Sequence, residues 1–584
     1  MDRIKKIREL FESYCIDGYI IPSSDEYMNE YVPNHLKRLE YITGFSGSNG
    51  IAIILLNKTI LITDGRYLDQ ALTQMPDADI YDQKDLYKDN IKNLILKRTA
   101  HDISCLNFGY DSKLFTELKL KMFDSINLKS ISDNLVDCIW ENRPSFKGSN
   151  IYEYPIDFAG ETYKSKVKKC RDYLSMNSLD SFLITELDSI CWLLNLRGQD
   201  VEFTPLILGR LLITQTSLQL FTKRQTISRD IDEGLKSLRP DVEFISEDLF
   251  EEELSKLKGT IALDKRFASC YIIDLCCRSN LNIKHLVDPC ILPKACKNPT
   301  EINRSIDVHI QDAVAVCELL SYIDYSDRQD LAKLSEYDLS EKLTKYRKQR
   351  PGYIYDSFPT ICGFNENGAI IHYKPLKDKA KYIVGDGILL IDSGGQYMGG
   401  TTDITRTICI GKPTLEQRKR YTQILRGHIN LAFSIFPRGT KGANLDILAR
   451  QFLWQDLMDY NHGTGHGVGN FLNVHEGPQA INLNNTTELK AGMIISNEPG
   501  YYKSKHYGMR IENLIYVDKI QDSEYLKFIN LTLVPYDNKL IDYALLTNFE
   551  KQSLDTYYNQ IYNKIYHLLS DIARTWLMNV INKK

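Results

Sequence analysis

The segment "GILLIDSGGQYMGGTTDITRTICIG" (387–411) limits what this chain can fold into more than any other. Two apolar, β-rich runs flank a glycine-rich centre, the pattern of an antiparallel hairpin turning at "QYMGG". Asp392 ends the first run and Asp403 begins the second. A carboxylate beside Ile391 or Ile404 is costly to bury unless it is paired or bound to a metal. The hairpin sets the two acids on opposite strands at similar height, so the fold has to supply positive charge at that point.

A second pair of acids follows. Glu498 closes the apolar run of "MIISNEPGYY" (493–502), just before Pro499. Glu512 lies within the strand pattern "GMRIENLIYV" (508–517), where Arg510 and Glu512 share one face and Met509, Ile511 and Asn513 the other. Arg510 is thereby placed to steady a buried carboxylate from behind.

Between the pairs lies "HGTGHGVGNFLNVHEGP" (462–478), with three of the chain's eleven histidines and five glycines. His462 and His466 are four apart, as on a zinc-protease helix, but the intervening Glu is missing and Gly463, Gly465 and Gly467 exclude a stable helix. The spacing also fails the dinucleotide and Walker patterns, and no Ser stands in G-x-S-x-G. In an extended or looped segment His462 and His466 project the same way. His475 follows in "NVHEGP", and His372 follows the apolar run of "GAIIHYKP". Four carboxylates with one histidine form an oxygen-rich set suited to two divalent ions such as Mn²⁺. Two such ions about 3.5–4 Å apart hold a bridging water and lower its pKa. The remaining histidines then donate to a developing oxyanion or a leaving group.

At 584 residues the chain exceeds a single core, and its 43% apolar and 25% charged residues are those of a soluble globular protein. A net charge of −4 offers no strong attraction to nucleic acid or anionic membranes. The amino terminus "MDRIKKIRELFESYCIDGYIIP" lacks the apolar core of a signal peptide, and no window resembles a membrane helix. Thirteen scattered cysteines without a CxxC read as reduced, cytoplasmic thiols.

The first half contains an internal echo. "IDGYIIPSSDEY" (16–27) with "YITGFSGSNGIAIILL" (41–56) has the same order of elements as "LDSFLITELDSI" (179–190) with "WLLNLRGQDVEFTPLILGRLLIT" (192–214). Two related α/β domains are expected, divided near the polar "ENRPSFKGSN" (141–150). A third region opens near "KACKNPTEINR" (294–304), where Pro299 and Glu301 mark a helix start. The tail (542–577) is helical in period, and its Tyr and Trp stripe is expected to be core or interface. The domains expected are 1–147, 148–297 and 298–584.

At these residues the chain resembles the three-domain Xaa-Pro aminopeptidases (aminopeptidase P) among the pita-bread metallopeptidases. The carriers are "IDSGGQY…GTTDITRT", "HGTGHGVGNFLNVHEGP", "NEPGYY" and "RIENL", with "GFSGSNG" and "TDGRY", "WLLNLRG…DVEFTP" and "LTLVPYD" extending the likeness along essentially the whole chain. The resemblance implies two creatinase-like α/β domains and a pita-bread catalytic domain, an α/β and α+β multidomain fold, usually as a homodimer. It implies that Asp392, Asp403, His466, Glu498 and Glu512 ligate two metal ions, usually Mn²⁺, with Asp403 and Glu512 bridging. It implies that His372, His462 and His475 bind substrate and stabilise the transition state while Glu498 assists the hydroxide between the metals. Substrates would be peptides with proline second, and the glycines of 462–478 would give the peptide backbone room. One departure is mild: "SNEPG" stands where "TDEPG" is commoner, and Asn497 is not a ligand.

Other readings fit less well. A prolidase shares the ligand set but cleaves dipeptides and usually lacks the middle domain. A creatinase lacks the full metal set, and a methionine aminopeptidase lacks both amino-terminal domains. An inert pita-bread protein that binds a histone or RNA typically loses ligands, whereas all five stand here.

Overall fold

The strands expected at "DGYIIP" and "DSFLIT" lie in the middle of two six-stranded sheets of identical connectivity. They belong to a computed structural model that describes residues 2–87, 90–98, 105–223, 234, 236–237 and 239–582. Strand order in the first sheet is Asp79–Asp82, Thr59–Thr63, Gly50–Leu55, Gly18–Pro22, Asn107–Tyr110 and Asn127–Ser130. In the second it is Glu243–Ser246, Leu218–Thr222, Gly209–Thr214, Ser181–Ile184, Thr260–Leu263 and Asn282–His285. In both, the three consecutive strands at the centre-left pair antiparallel and every other neighbour is parallel. The central strands are buried along their whole length, which is why they read as continuous apolar runs. The echo in the sequence is therefore an echo of topology. Both sheets fall in one of the chain's two compact units, Met1–Tyr154 with Glu161–Cys290.

The other unit comprises Pro155–Gly160 and Ile291–Lys584. Its first long helix, Pro299–Tyr325, starts as expected: the Asn298 side chain accepts from the Glu301 N–H while Glu301 reaches back to the Asn298 N–H. A sheet of Ile361–Phe364, Gly387–Ser393 and Ile404–Ile410 packs beneath it, and Leu389, Ile391 and Ile404 share a core with Val316, Leu320 and Leu425. Tyr557, Tyr558 and Trp576 of the tail helices Asn548–Ile565 and Asp571–Asn582 enter the same core, so the aromatic stripe is packing. A six-stranded sheet runs in the order Ile435–Pro437, Tyr525–Asn530, Asn513–Lys519, Ile494–Asn497, Gly465–Gly467 and Glu476–Ile481. Helix Gly442–Trp454 covers it through Leu445 and Ala449.

The hairpin turns at "QYMGG", with Tyr397 opposite Gly400. Its acids are offset, because Asp392 pairs with Thr405 and not with Asp403. The turn itself sets this offset, because the register with Tyr397 opposite Gly400 runs unbroken to Ser393 opposite Ile404 and Asp392 opposite Thr405, although Gly395–Tyr397 and Gly400–Thr401 leave the main sheet to join Tyr353–Asp356. Beneath this departure Arg347 is buried, donating through Nε to Asp312 (2.8 Å) and through Nη2 to Ser393 (3.0 Å). Tyr397 donates to the same Asp312 (2.9 Å), so two helices and the end of the Asp392 strand are tied to one ion pair.

His428, on helix Leu415–Ala432, is fully buried against Tyr536. Burial, reinforced by the Arg406 charge, pushes its pKa down to about 3. The folded state keeps this imidazole neutral, whereas the unfolded chain takes up a proton below about pH 6.5. Its contribution is therefore intact above pH 6.5 and is lost as pH falls toward 3, at about 1.4 kcal/mol per unit. Thermal unfolding of the wild type and of His428→Phe at pH 7 and pH 5 tests this: the wild type should lose about 2 kcal/mol more than the variant.

Candidate metal centre

The site forms where four strands end. Asp392 is the last residue but one of Gly387–Ser393, and Asp403 stands immediately before Ile404–Ile410. Glu498 directly follows Ile494–Asn497, and Glu512 directly precedes Asn513–Lys519. Asn497 pairs with Asn513, so the next step of that register sets Glu498 and Glu512 opposite each other. The backbone stays anchored as the ladders stop: Glu498 N–H donates to Thr464 O (2.7 Å) and Glu512 N–H to Thr405 O (3.1 Å). Arg406 fixes the second of these turns from below, donating to Glu512 O (2.6 Å) and to Asn513 Oδ1 (2.8 Å).

His466 comes from Gly465–Gly467, a three-residue strand between Ile494–Asn497 and Glu476–Ile481. A Cβ at 465 would lie 1.9 Å from Ser496 O, and one at 467 would lie 2.2 Å from Glu476 O. Only glycine permits such an approach. At these two positions the absent side chains make room for the protein's own neighbouring strands, where the sequence suggests room for a substrate backbone.

The polar atoms that converge here are nearly all acceptors. His466 Nδ1 lies 2.9 Å from Gly467 O, which can only accept, so Nδ1 carries a hydrogen and, in the neutral ring that a metal would bind, Nε2 keeps a lone pair. That lone pair faces Glu498 Oε1 at 3.3 Å and Asp403 Oδ2 at 3.5 Å. Asp403, His466 and Glu512 each offer one ligand atom, all within 4.8 Å of one another. Asp392 Oδ1 is buried and meets no donor. Burial, opposed by Arg510 and reinforced by Asp403, pushes Asp392 up to about 7. Burial likewise raises Glu498 against the pull of His466, and burial with the neighbouring carboxylates holds Glu512 well above the ordinary range. Burial disfavours the His466 imidazolium, yet the hydrogen bond to Asp403 and the Glu498 charge push its pKa up to about 9. Such a set calls for positive charge in its midst, and oxygen with one imidazole is a donor set that fits divalent ions.

Arg510 supplies the only guanidinium bonded to these carboxylates among the described residues, and it does so at Asp392. Its Nη2 pairs closely with Asp392 Oδ2, Nε donates to Thr405 Oγ1 (3.0 Å) and Nη1 to Tyr502 Oη (2.6 Å). Alternation places Arg510 on the face of Glu512, but the strand Tyr507–Arg510 ends at the arginine and the chain bends before Asn513, so the contact with Glu512 runs through Thr405, which donates to Glu512 Oε2 (2.7 Å). His462 Nδ1 lies 2.7 Å from Gly463 O and 3.8 Å from Glu498 Oε2, and its Nε2 lies 2.8 Å from Tyr502 Oη. The His475 ring stands perpendicular to that of His466, centroids 4.4 Å apart. His372 is half-buried on the turn after Asn365–Ala369, a segment packed so closely on Tyr507–Arg510 that a Cβ at 508 would lie 1.8 Å from Gly368 O.

Sequence reasoning passed over Thr405, Tyr502 and Ser496. Thr405 had a signal, since in "DITRT" it shares the face of Asp403. Tyr502 stood inside "NEPGYY". Ser496, which donates to Glu498 Oε1 (3.0 Å) and accepts from His466 N–H (2.9 Å), carried none.

Because the Gly465 position is filled by a neighbouring carbonyl, Gly465→Ala should destabilise the protein by about 1–3 kcal/mol. It should also drag His466 away from Asp403 and Glu498. A lower Tm together with weaker Mn²⁺ uptake in titration calorimetry is the expected result, and wild-type uptake by the folded variant would refute the wedge argument.

Comparison with known proteins agrees with this geometry. Residues 307–519 match the model of metallopeptidase family M24, and 524–583 match the C-terminal region of peptidase M24. Residues 3–138 and 142–301 each match a creatinase/prolidase N-terminal domain. Xaa-Pro aminopeptidase 1 of Dictyostelium discoideum is 36% identical, the alignment covering 99% of this chain and 96% of the relative. The crystal structure of an X-prolyl aminopeptidase from Caenorhabditis elegans, described as a cytosolic enzyme with a di-nuclear active site, superposes with a TM-score of 0.92 at 28% identity over 100% of this chain and 99% of that one. The prolidase of Pyrococcus horikoshii OT3 spans only 64% of this chain, with a TM-score of 0.51 at 25% identity. Two creatinase-type modules, an M24 domain and its C-terminal extension, matched end to end, mean that the chain belongs to the Xaa-Pro aminopeptidases of metallopeptidase family M24.

Proposed function

We propose that this protein is a metal-dependent aminopeptidase that releases the first residue of peptides with proline second. The observation that carries the reading is the convergence of Asp403, His466 and Glu512, three ligand atoms within 4.8 Å, in a setting of buried acceptors. Asp392, Asp403, His466, Glu498 and Glu512 would hold two divalent ions, with Asp403 and Glu512 shared between them. Manganese suits the oxygen-rich set. When bound, such ions ionise a water near neutral pH and polarise the scissile carbonyl. The domains would divide at 147 and 297. The Caenorhabditis relative's cytosolic setting supports a cytoplasmic placement, and a homodimer is the assembly we assign.

The chain's own residues supply the rest. Arg510 anchors Asp392 and, through Tyr502, faces His462, so the acid and the imidazole are aligned by one guanidinium. Glu498 receives the proton of the attacking water on a carboxylate oxygen and returns it to the leaving proline nitrogen. His462, His475 and His372 donate N–H to charge that develops on the substrate's carbonyl oxygen or to the departing amide. Asp392 faces the free amino terminus of the peptide. Proline lacks an N–H and holds the preceding residue extended, so a walled pocket recognises its shape where a hydrogen bond cannot.

Two experiments test this reading. Asp403→Asn and Glu512→Gln keep side-chain size but remove the charge, and both should abolish metal uptake and hydrolysis. His475→Ala should retain metal and lose on the order of 10²–10³ in kcat. Near-normal turnover by either carboxamide variant would overturn the ligand assignment.

The second experiment compares Arg-Pro-Pro, Arg-Ala-Pro, acetyl-Arg-Pro-Pro and Arg-Pro under saturating Mn²⁺. Replacing proline by alanine should cost about 1–3 kcal/mol in kcat/KM, and acetylation should stop cleavage. Fast cleavage of the dipeptide alone would make the protein a prolidase, and equal rates for Pro and Ala a general aminopeptidase.

A further inference from the structure

We propose that Arg450, on the helix Gly442–Trp454, is a positioning residue that sets the orientation of His462. The inference rests on the reading of His462 as a substrate-facing donor. Arg450 is 5% exposed, and each of its three nitrogens is engaged. Its Nε donates to Asp446 Oδ2 (2.8 Å), on the preceding turn of the same helix. Nη1 donates to Asp459 Oδ1 (2.7 Å) and to Tyr460 O (2.9 Å), and Nη2 to His462 O (2.8 Å). Asp446, fully buried, takes the next alternate residue, accepting a short hydrogen bond from Thr464 Oγ1. One arginine and one aspartate therefore hold residues 460, 462 and 464 in sequence, through backbone, backbone and side chain.

That grip decides where the imidazole points. The guanidinium lies 3.9 Å from the centroid of the Tyr460 ring, and Tyr460 in turn packs on His462 with centroids 4.8 Å apart. Tyr460 Oη also meets Thr464 Oγ1 at 2.5 Å. Thr464 O is the acceptor for the Glu498 N–H, so the same clamp reaches the carboxylate beside His462. A segment containing Gly463 and Gly465 would otherwise have wide backbone freedom. The planar, five-donor fork of arginine meets carbonyls and carboxylates in different directions at once, which an ammonium cannot do.

The test is a double-mutant cycle on Arg-Pro-Pro hydrolysis by the full-length, Mn²⁺-loaded protein, using Arg450→Lys, His462→Ala and the pair. Arg450→Lys should keep its metal content and KM within about twofold, and lose kcat on the order of 10- to 100-fold, the scale of a misplaced catalytic group. The double variant should be no slower than His462→Ala alone, because the arginine then has nothing left to orient. Additive losses, unchanged kcat in Arg450→Lys, or no effect of His462→Ala would each overturn the proposal. Should Arg450→Lys not fold, Asp446→Asn enters the cycle in its place with the same expected non-additivity. Failure of the wild type to cleave Arg-Pro-Pro would sink the functional reading, and that result is obtained before any variant is compared.

Discussion

Four carboxylates gathered around an imidazole in a buried centre repel one another, and the rest of the catalytic unit is organised around that repulsion. Isolated buried carboxylates shed their charge by taking up protons, and the raised pKa values of Asp392, Glu498 and Glu512 describe that tendency. Arg510 offsets only one of them directly. The remaining imbalance is what makes the cluster a cation site: the fold invests burial and rigid backbone in a cluster that is electrostatically incomplete alone. Breaking a buried pair in such surroundings leaves an uncompensated charge, so Arg510 matters as much for what it prevents as for what it binds.

The incompleteness is tolerable because nothing around it can relax. Each acid sits within one residue of a strand's end, where the ladder still holds the backbone but no longer dictates the side chain's direction. Arg406, buried and bonded to the carbonyl of Glu512, to Asn513 and to Val534 O, joins the hairpin to the large sheet. Arg347 does the same between two helices and Ser393. The polar interior is thus a frame of arginines binding carbonyls and acids, with the glycine-rich strand pressed into the gap it leaves.

Much of this was legible in the sequence because chemistry and periodicity pointed the same way. The acids interrupt apolar runs, and an acid in that position has few explanations. The helix start at Pro299 and the turn at "QYMGG" followed from local stereochemistry alone. What the sequence could not show were contacts between distant segments. The departure of the hairpin's tip from its sheet depends on a partner strand at Tyr353–Asp356, and Arg510's choice of Asp392 over Glu512 depends on where a strand stops. The role of Gly465 and Gly467 needed the carbonyls of Ser496 and Glu476, one of them some thirty residues further along.

The paired amino-terminal sheets carry a consequence for how their sequences are interpreted. Since strand order and direction are common to both, whatever differs at equivalent points cannot be owed to that architecture. After the strand Gly18–Pro22 the chain enters a loop with the buried Asp25, which accepts from Tyr27 N–H and Asn29 N–H. After its counterpart Ser181–Ile184 it goes straight into the helix Leu187–Leu194. One copy thus serves as a built-in reference for the other, and divergence between the two halves separates inheritance from specialisation within a single molecule.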